Sequence, residues 1–447
     1  MKRLLGDGYA EFERALTEDE PVRGVRLNRI KNRSLTPPVD LPLTPLSYVE
    51  GGYRLHTAEP VGTHPAHHSG TVYMQDPGAM ATLCALDIAP DFKIIDLCAA
   101  PGGKSTQAAA MLGEDGFILS NEFVGKRARL MIGNFERLGV KNAMITSLDT
   151  AEFKKNFRSY FDLCIADVPC SGEGMFRKSE DALAMWSEEN VAISAKRQAE
   201  ILDNAAPLVR AGGYLLYSTC TYSLSENEMQ IDAFLTRHAE FSLIPVKESL
   251  IAVTDEGVNF DGATHDLRYT RRFYPHKSPG EGQFIALMKK AENPDDLPTL
   301  LYKNQLKPLS KQETDIVTRF MKDTLDECPR DIPAKLSDRL VLSNGAIPPL
   351  AYGVLVYGIL IGEIKGNSLI PSHQFYSAMG EHFKRRIELS KDEDRLSRYL
   401  HGEQIAVSED IPQGFVALTY EGAVIGGGKC VGGLLNNHYP KGLRNKK

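Results

Sequence analysis

From residue 93 onward the chain alternates apolar runs of strand length with stretches of helical period. Runs at 93–97, 117–121, 143–147, 161–166 and 213–218 read as strands, and 103–112, 126–138 and 192–209 read as helices between them. Strands and helices in strict alternation predict a doubly wound α/β fold around a parallel sheet. A further apolar run at 283–288 follows a turn and is expected to close the sheet near residue 290 as an antiparallel strand.

Outside this core the pattern loosens. Residues 1–75 combine one short helical pattern with a Pro-rich stretch at 36–45, which predicts a small capping domain. Asn293-Pro294-Asp295-Asp296 reads as a boundary, 300–375 as a mixed segment too short for another large enzyme core, and the Gly-rich 414–433 as a small β domain. The expected division is 1–75, 76–290, 291–385 and 386–447, with no internal repeat.

Composition narrows the class. A chain of 447 residues has room for about three domains, and no apolar run approaches the ~18 residues of a membrane span. A soluble, cytoplasmic, monomeric protein is expected. Seven cysteines make neither a paired disulfide framework nor a Cys-x-x-Cys metal site, so reduced thiols are expected and no metal is implied.

A net charge of -6 opposes indiscriminate nucleic-acid binding, because that affinity comes from neutralising phosphates. Local charge changes this picture. Arg23, Arg26, Arg29, Lys31 and Arg33 occur without an acid between them; His265, Arg268, Arg271, Arg272, His276 and Lys277 are opposed only by Asp266; and Lys441, Arg444, Lys446 and Lys447 close the chain. Any one cluster reads as solvated surface, but the three together, with Tyr269, Phe273, Tyr274 and Tyr439 among them, point to a nucleic-acid partner.

The strand at 93–97 runs into Cys98, Ala99, Ala100, Pro101, Gly102, Gly103 and Lys104, a small-residue turn that opens a helix. Such a turn lets backbone approach a cofactor closely. A phosphate-binding P-loop fits at Gly103-Lys104-Ser105 but has Cys98 where its first glycine belongs, and a dinucleotide Gly-x-Gly-x-x-Gly is absent. S-adenosylmethionine fits better. Glu122, at the end of the second strand, has the spacing of a ribose carboxylate, and Asp149, after the third, could accept from an adenine amino group. Each acid alone reads as an ordinary strand-end carboxylate; their shared edge favours a site.

Two further apolar runs end in cysteine motifs, Asp167-Val168-Pro169-Cys170 and Ser218-Thr219-Cys220. With the turn at 96–104, these segments resemble the Sun/NSUN family of RNA cytosine-5 methyltransferases. Arg26-Leu27-Asn28 with Lys31, and Arg272 with Pro275-His276, resemble its flanking motifs. Residues 437–444 resemble the C-terminal PUA-like domain of the bacterial RsmF type. The resemblance implies a Rossmann-like methyltransferase sheet, a small α+β N-terminal domain and a PUA-like β domain, with S-adenosylmethionine as cofactor. It implies small-subunit (16S) rRNA or the 30S subunit as partner, at a cytidine near the decoding region. Arg26, Asn28, Lys31, Arg272, His276, Lys441 and Arg444 are then candidate RNA contacts.

Carbon 5 of cytosine is a poor nucleophile, so a thiolate must first add to carbon 6 and form an enamine. The Pro-Cys motif of DNA methyltransferases would give that role to Cys170. The RNA-family resemblance gives it to Cys220 and leaves Cys170 to resolve the adduct. Asp167 is expected to contact the cytosine amine and ring nitrogen 3 and to border the cofactor, and Lys178 to orient the base or a phosphate. Transfer to tRNA or 23S rRNA, a non-catalytic RNA-binding assembly factor and a P-loop NTPase stand as alternatives.

Overall fold

The computed structural model describes the chain except residues 302–304, 344, 349, 409 and 446–447, so Lys446 and Lys447 lie outside the described residues. Five central strands, β1 (Lys93–Asp96), β2 (Phe117–Asn121), β3 (Ala143–Thr146), β4 (Phe161–Asp167) and β5 (Val209–Thr219), pair in parallel in the order β5-β4-β1-β2-β3. The order reverses between β1 and β4. In open sheets of this kind, ligands sit at such a reversal, outside the carboxyl ends of the strands.

Alternate residues of these strands enter different cores. Ile94, Leu163 and Ile165 pack with Met131 and Phe135 on one face, while Ile95, Cys164 and Ala166 pack with Phe153 and Leu202 on the other. Burial on both faces is why the strands read as continuous apolar runs rather than alternating ones. Beyond β5, the strands β6 (Arg271–Phe273) and β7 (Gln283–Lys290) add the expected antiparallel edge, β7 pairing with β5 in the register Tyr217 with Ala286.

The connecting helices include α1 (Gly103–Ala109), α2 (Gly125–Arg137) and α3 (Glu188–Ala205). The last replaces the helix expected over 192–209. It begins earlier because Ser187 Oγ accepts from Asn190 N, and it stops before Pro207, which lacks an N–H for the helix ladder. Val209 therefore opens β5 instead of ending a helix.

The N-terminal segment folds as the helix Tyr9–Thr17 and a four-stranded sheet of Arg23–Leu27, Leu43–Pro45, Gly52–Leu55 and Val72–Met74. Near the other end, Gly414–Tyr420, Ala423–Val431 and Leu434–Asn437 form the centre of a five-stranded sheet. Between them, residues 306–371 build another five-stranded sheet. From the same stretch β8 (Val354–Tyr357) leaves to pair antiparallel with β3, so this segment extends the central sheet itself. Among the described residues no helix is long and apolar enough to cross a membrane.

Several of the residues expected as RNA contacts make interior hydrogen bonds. Arg26 is buried, donating to Gln75 and Thr106, and Asn28 is buried between the carbonyls of Gly70 and Leu138. Arg272 is buried against Glu228. Lys31 donates to the carbonyls of Ser377 and Val424, tying the N-terminal segment to the C-terminal third. His276 is packed edge-on against Phe12, Lys441 lies in a short helical turn at the surface, and Arg444 donates to the Tyr439 carbonyl.

Candidate active site

The turn after β1 is held open by its neighbours. Ala99 N donates to Asn121 O at 2.7 Å, and the Asn121 side-chain amide donates to the carbonyls of Leu97 and Leu148. Gly102 has φ +104, a left-handed conformation that glycine takes without penalty, and a Cβ there would stand 3.3 Å from the Phe135 ring. Tight backbone and small side chains thus leave the edge between Cys98 and Lys104 accessible to a cofactor.

Acids line that edge. Glu122, just beyond β2, is buried, with one oxygen accepting from Val124 N at 2.9 Å and the other 3.3 Å from Arg127. Asp149 is exposed after β3 and accepts from Ala151 N. Asp96 was missed as a site residue. It is fully buried at the end of β1; Ser105 Oγ donates to one carboxylate oxygen at 2.6 Å, and the other has no hydrogen-bond partner. Burial pushes its carboxyl up to about 7. The signal in the sequence was a lone carboxylate within an apolar strand.

These acids fit a cofactor with ribose hydroxyls and a cationic sulfonium, and they oppose a polyphosphate. Lys104, the residue a P-loop would aim at phosphate, is already committed: its ammonium lies 2.8 Å from Asp167 Oδ2. Burial works against the Lys104 charge, but Asp167 more than restores it, so its pKa is raised. The other Asp167 oxygen accepts from Ser218 Oγ at 2.6 Å, a bond that ties β4 to β5 at their carboxyl ends.

The two cysteine motifs meet here. Cys170 follows β4, Cys220 follows β5, and their sulfurs are 3.3 Å apart although 50 residues separate them in sequence. Parallel pairing of β4 with β5 places both strand ends side by side, and the Gly174 N–H donates to the Cys220 carbonyl at 2.8 Å to dock the following loop. All cysteines in the chain are free thiols. The hydrogen bond between the thiols lowers the pKa of Cys220, with burial and the Asp167 carboxylate opposing and the Lys104 ammonium helping; the same bond and burial hold Cys170 well above the usual thiol range. Of the two thiols, Cys220 is therefore the one whose anion is favoured.

Lys178 is held by other acids. Its ammonium is 2.7 Å from Asp76 and 3.6 Å from Glu281, beside the buried Arg177–Glu281 pair.

A Rossmann-like sheet with an acid-lined cofactor edge and a polarised thiol pair defines an S-adenosylmethionine-dependent methyltransferase. Comparison with known proteins gives the family. Residues 83–289 match the family described as 16S rRNA methyltransferase RsmB/F, residues 1–77 the N-terminal domain of 16S rRNA methyltransferase RsmF, and residues 384–445 the methyltransferase RsmF PUA domain. The ribosomal RNA small subunit methyltransferase F of Vibrio vulnificus is 30% identical over 90% of this chain and 85% of its own length. That of Klebsiella pneumoniae is 30% identical over 94% and 90%.

Among solved structures, a methyltransferase homolog protein from Pyrococcus horikoshii superposes with a TM-score of 0.53 at 24% identity, covering 64% of this chain and 91% of that one. NSun6 from the same organism, solved with the S-adenosylmethionine analogue SFG, gives 0.54 at 22%, covering 65% and 97%. These two likenesses show the fold. The chain belongs to the RsmB/F family of RNA methyltransferases, and its cofactor is S-adenosylmethionine.

Proposed function

We propose that this enzyme methylates carbon 5 of a cytidine in 16S rRNA, within the small ribosomal subunit, through a covalent Cys220 adduct. The observation that carries the reading is the 3.3 Å thiol pair beside the cofactor edge. The names of the relatives support the substrate.

Cys98 to Lys104 and Glu122 would hold the cofactor, with Asp149 at its adenine end. When bound, S-adenosylmethionine supplies an electrophilic methyl group. Cys220, as thiolate, adds to carbon 6 of cytosine and pushes electron density toward carbon 5. Asp167, fixed by Lys104 and Ser218, would accept from the exocyclic amine and, if protonated, bond ring nitrogen 3, where charge develops. After transfer, the carbon 5 proton leaves to a base, the double bond re-forms and the Cys220 sulfur departs. Cys170, within hydrogen-bonding distance of that sulfur, would take up the carbon 5 proton as base or relay, and Cys220 would leave as thiolate. A target cytosine in a duplex must first be unstacked, at a cost of a few kcal/mol. The segments at 1–75 and 386–447 would hold the surrounding RNA by shape and phosphate contacts.

Methyl transfer from labelled S-adenosylmethionine to unmodified 30S subunits, naked 16S rRNA, 23S rRNA and tRNA tests this reading. Label confined to 5-methylcytidine of a small-subunit substrate is expected. Label only in tRNA or 23S rRNA would overturn the substrate, and none in any of them would revive a binding factor. The cysteine roles have their own test. Cys170→Ala should accumulate a protein–RNA adduct on a denaturing gel and Cys220→Ala should form none; the reverse pattern would refute the assignment.

A further inference from the structure

The loop carrying Cys170 is fastened to a buried carboxylate that no motif singled out. Glu226 lies six residues past Cys220, fully buried, in a short helical turn before the helix Glu228–Arg237. One of its oxygens accepts from Ser171 N at 2.9 Å and from Gln198 Nε2 at 3.0 Å; the other accepts from Ser171 Oγ at 2.5 Å. The Gln198 amide also donates to the Pro169 carbonyl at 2.9 Å, so Cys170 is gripped from the residues on both sides.

The network also reaches the other thiol. Ser171 Oγ lies 2.9 Å from Thr221 Oγ1, the residue after Cys220. With Ser171 donating to Glu226, Thr221 must donate to Ser171, which gives a chain of hydroxyls running from the Cys220 side to the carboxylate. The Tyr217 hydroxyl donates to the Glu226 backbone carbonyl at 2.6 Å and anchors the turn to β5. Among the described residues Glu226 has no ion-pair partner, and its contacts are neutral donors.

The two sulfurs thus have different neighbours. Lys104 lies on the Cys220 side through Asp167, and Glu226 lies on the Cys170 side through Ser171. Beside Cys220 the Lys104 and Asp167 charges offset each other, whereas the Glu226 carboxylate beside Cys170 has no cation paired with it, so the single shared proton is favoured on Cys170. We propose that Glu226 is a positioning residue which holds Cys170 as the hydrogen-bond donor and so keeps the negative charge of the thiol pair on Cys220. This deepens the proposed mechanism and rests on Cys220 as its nucleophile. Burial raises the Glu226 carboxyl above its ordinary value, with the bonds from Ser171 and Gln198 opposing.

The test needs no RNA. Full-length protein is treated with limiting iodoacetamide near neutral pH, and modification of Cys220 and Cys170 is read peptide by peptide by mass spectrometry, with thermal melting as the control for folding. Wild type should react mainly at Cys220. Glu226→Gln keeps the shape and removes the charge, and should lower the ratio of Cys220 to Cys170 modification about tenfold, the change that one pKa unit makes in a thiolate population. An unchanged ratio in the folded variant overturns the inference alone. Wild-type reaction mainly at Cys170 overturns both the inference and the nucleophile assignment. If Glu226→Gln fails to fold, Glu226→Asp, which draws the carboxylate off Ser171 by one methylene, gives the same reading: a fallen ratio supports the role and the wild-type ratio overturns it.

Discussion

Lys104 and Lys31 are both half-buried lysines, and their surroundings give them opposite work. Lys104 faces the Asp167 carboxylate at the mouth of the cysteine pair, and its charge is favoured. Lys31 faces two backbone carbonyls at a seam between the N-terminal and C-terminal parts of the chain, and burial pulls its pKa down to about 7. A cation keeps its charge through desolvation when a carboxylate comes with it, and such a pair can do chemistry. Without one, the lysine serves as a donor that holds segments together.

The sharpest way to break this comparison is at the thiol that Lys104 helps polarise. Cys220→Ser puts a hydroxyl where the thiolate stood; at neutral pH it is a far weaker nucleophile, so methyl transfer to a small-subunit substrate should fall below detection while melting temperature stays near that of wild type. Lys104→Met should come next, with kcat down about 100-fold, the scale of losing one preorganised charge from a reacting centre. The matching change at the seam, Lys31→Met, should leave kcat within a few-fold. If Lys31→Met instead matched Lys104→Met in kcat, the division between chemistry and architecture would fail.

Stability should show the converse order. Lys31→Met leaves the Ser377 and Val424 carbonyls without their donor, a loss of about 1–3 kcal/mol for buried acceptors. Denaturant unfolding would read this as a lower midpoint. It should also change the pH response: an ammonium with a folded pKa of about 7 binds fewer protons than its unfolded counterpart between pH ~7 and ~10.4, so wild-type stability should rise with pH across that window, and the rise should shrink in Lys31→Met.

The contrast also explains which parts of the molecule could be read in advance. Cys170, Cys220, Glu122 and the turn at Cys98 to Lys104 follow apolar strands, and a parallel sheet brings such strand ends to one edge whatever lies between them. Charge clusters carry no comparable rule. Arg272 meets Glu228, 44 residues earlier, and Lys31 meets Ser377, 346 residues later; nothing local distinguishes these from solvated cations. The strand β8 was hidden for the same reason, since its partner β3 lies some 200 residues before it and periodicity within 354–357 cannot name a partner. Glu226 was missed because its carboxylate acts through Ser171, a contact that only the closed loops create.

Asp96 offers the finest discrimination, because it is a buried acid at the same edge as Lys104. Its carboxyl sits near 7 in the folded protein against ~3.9 when unfolded, so between those values the folded state holds a proton that the unfolded state has released. The sign follows: stability is greatest below about pH 4 as far as this group is concerned, and its contribution is lost as pH rises through about 7. Asp96→Asn keeps the shape and an acceptor for Ser105 while removing the titration. The difference in melting temperature between Asp96→Asn and wild type should therefore move in favour of the variant as pH goes from about 5 to 8. A difference that stays flat would mean that Asp96 is ionised throughout, its unpartnered oxygen satisfied by water or cofactor. Repeating the scan with saturating S-adenosylmethionine separates those two: a cationic cofactor near Asp96 would stabilise the carboxylate and flatten the slope only when bound, whereas a slope already flat without it assigns the compensation to solvent.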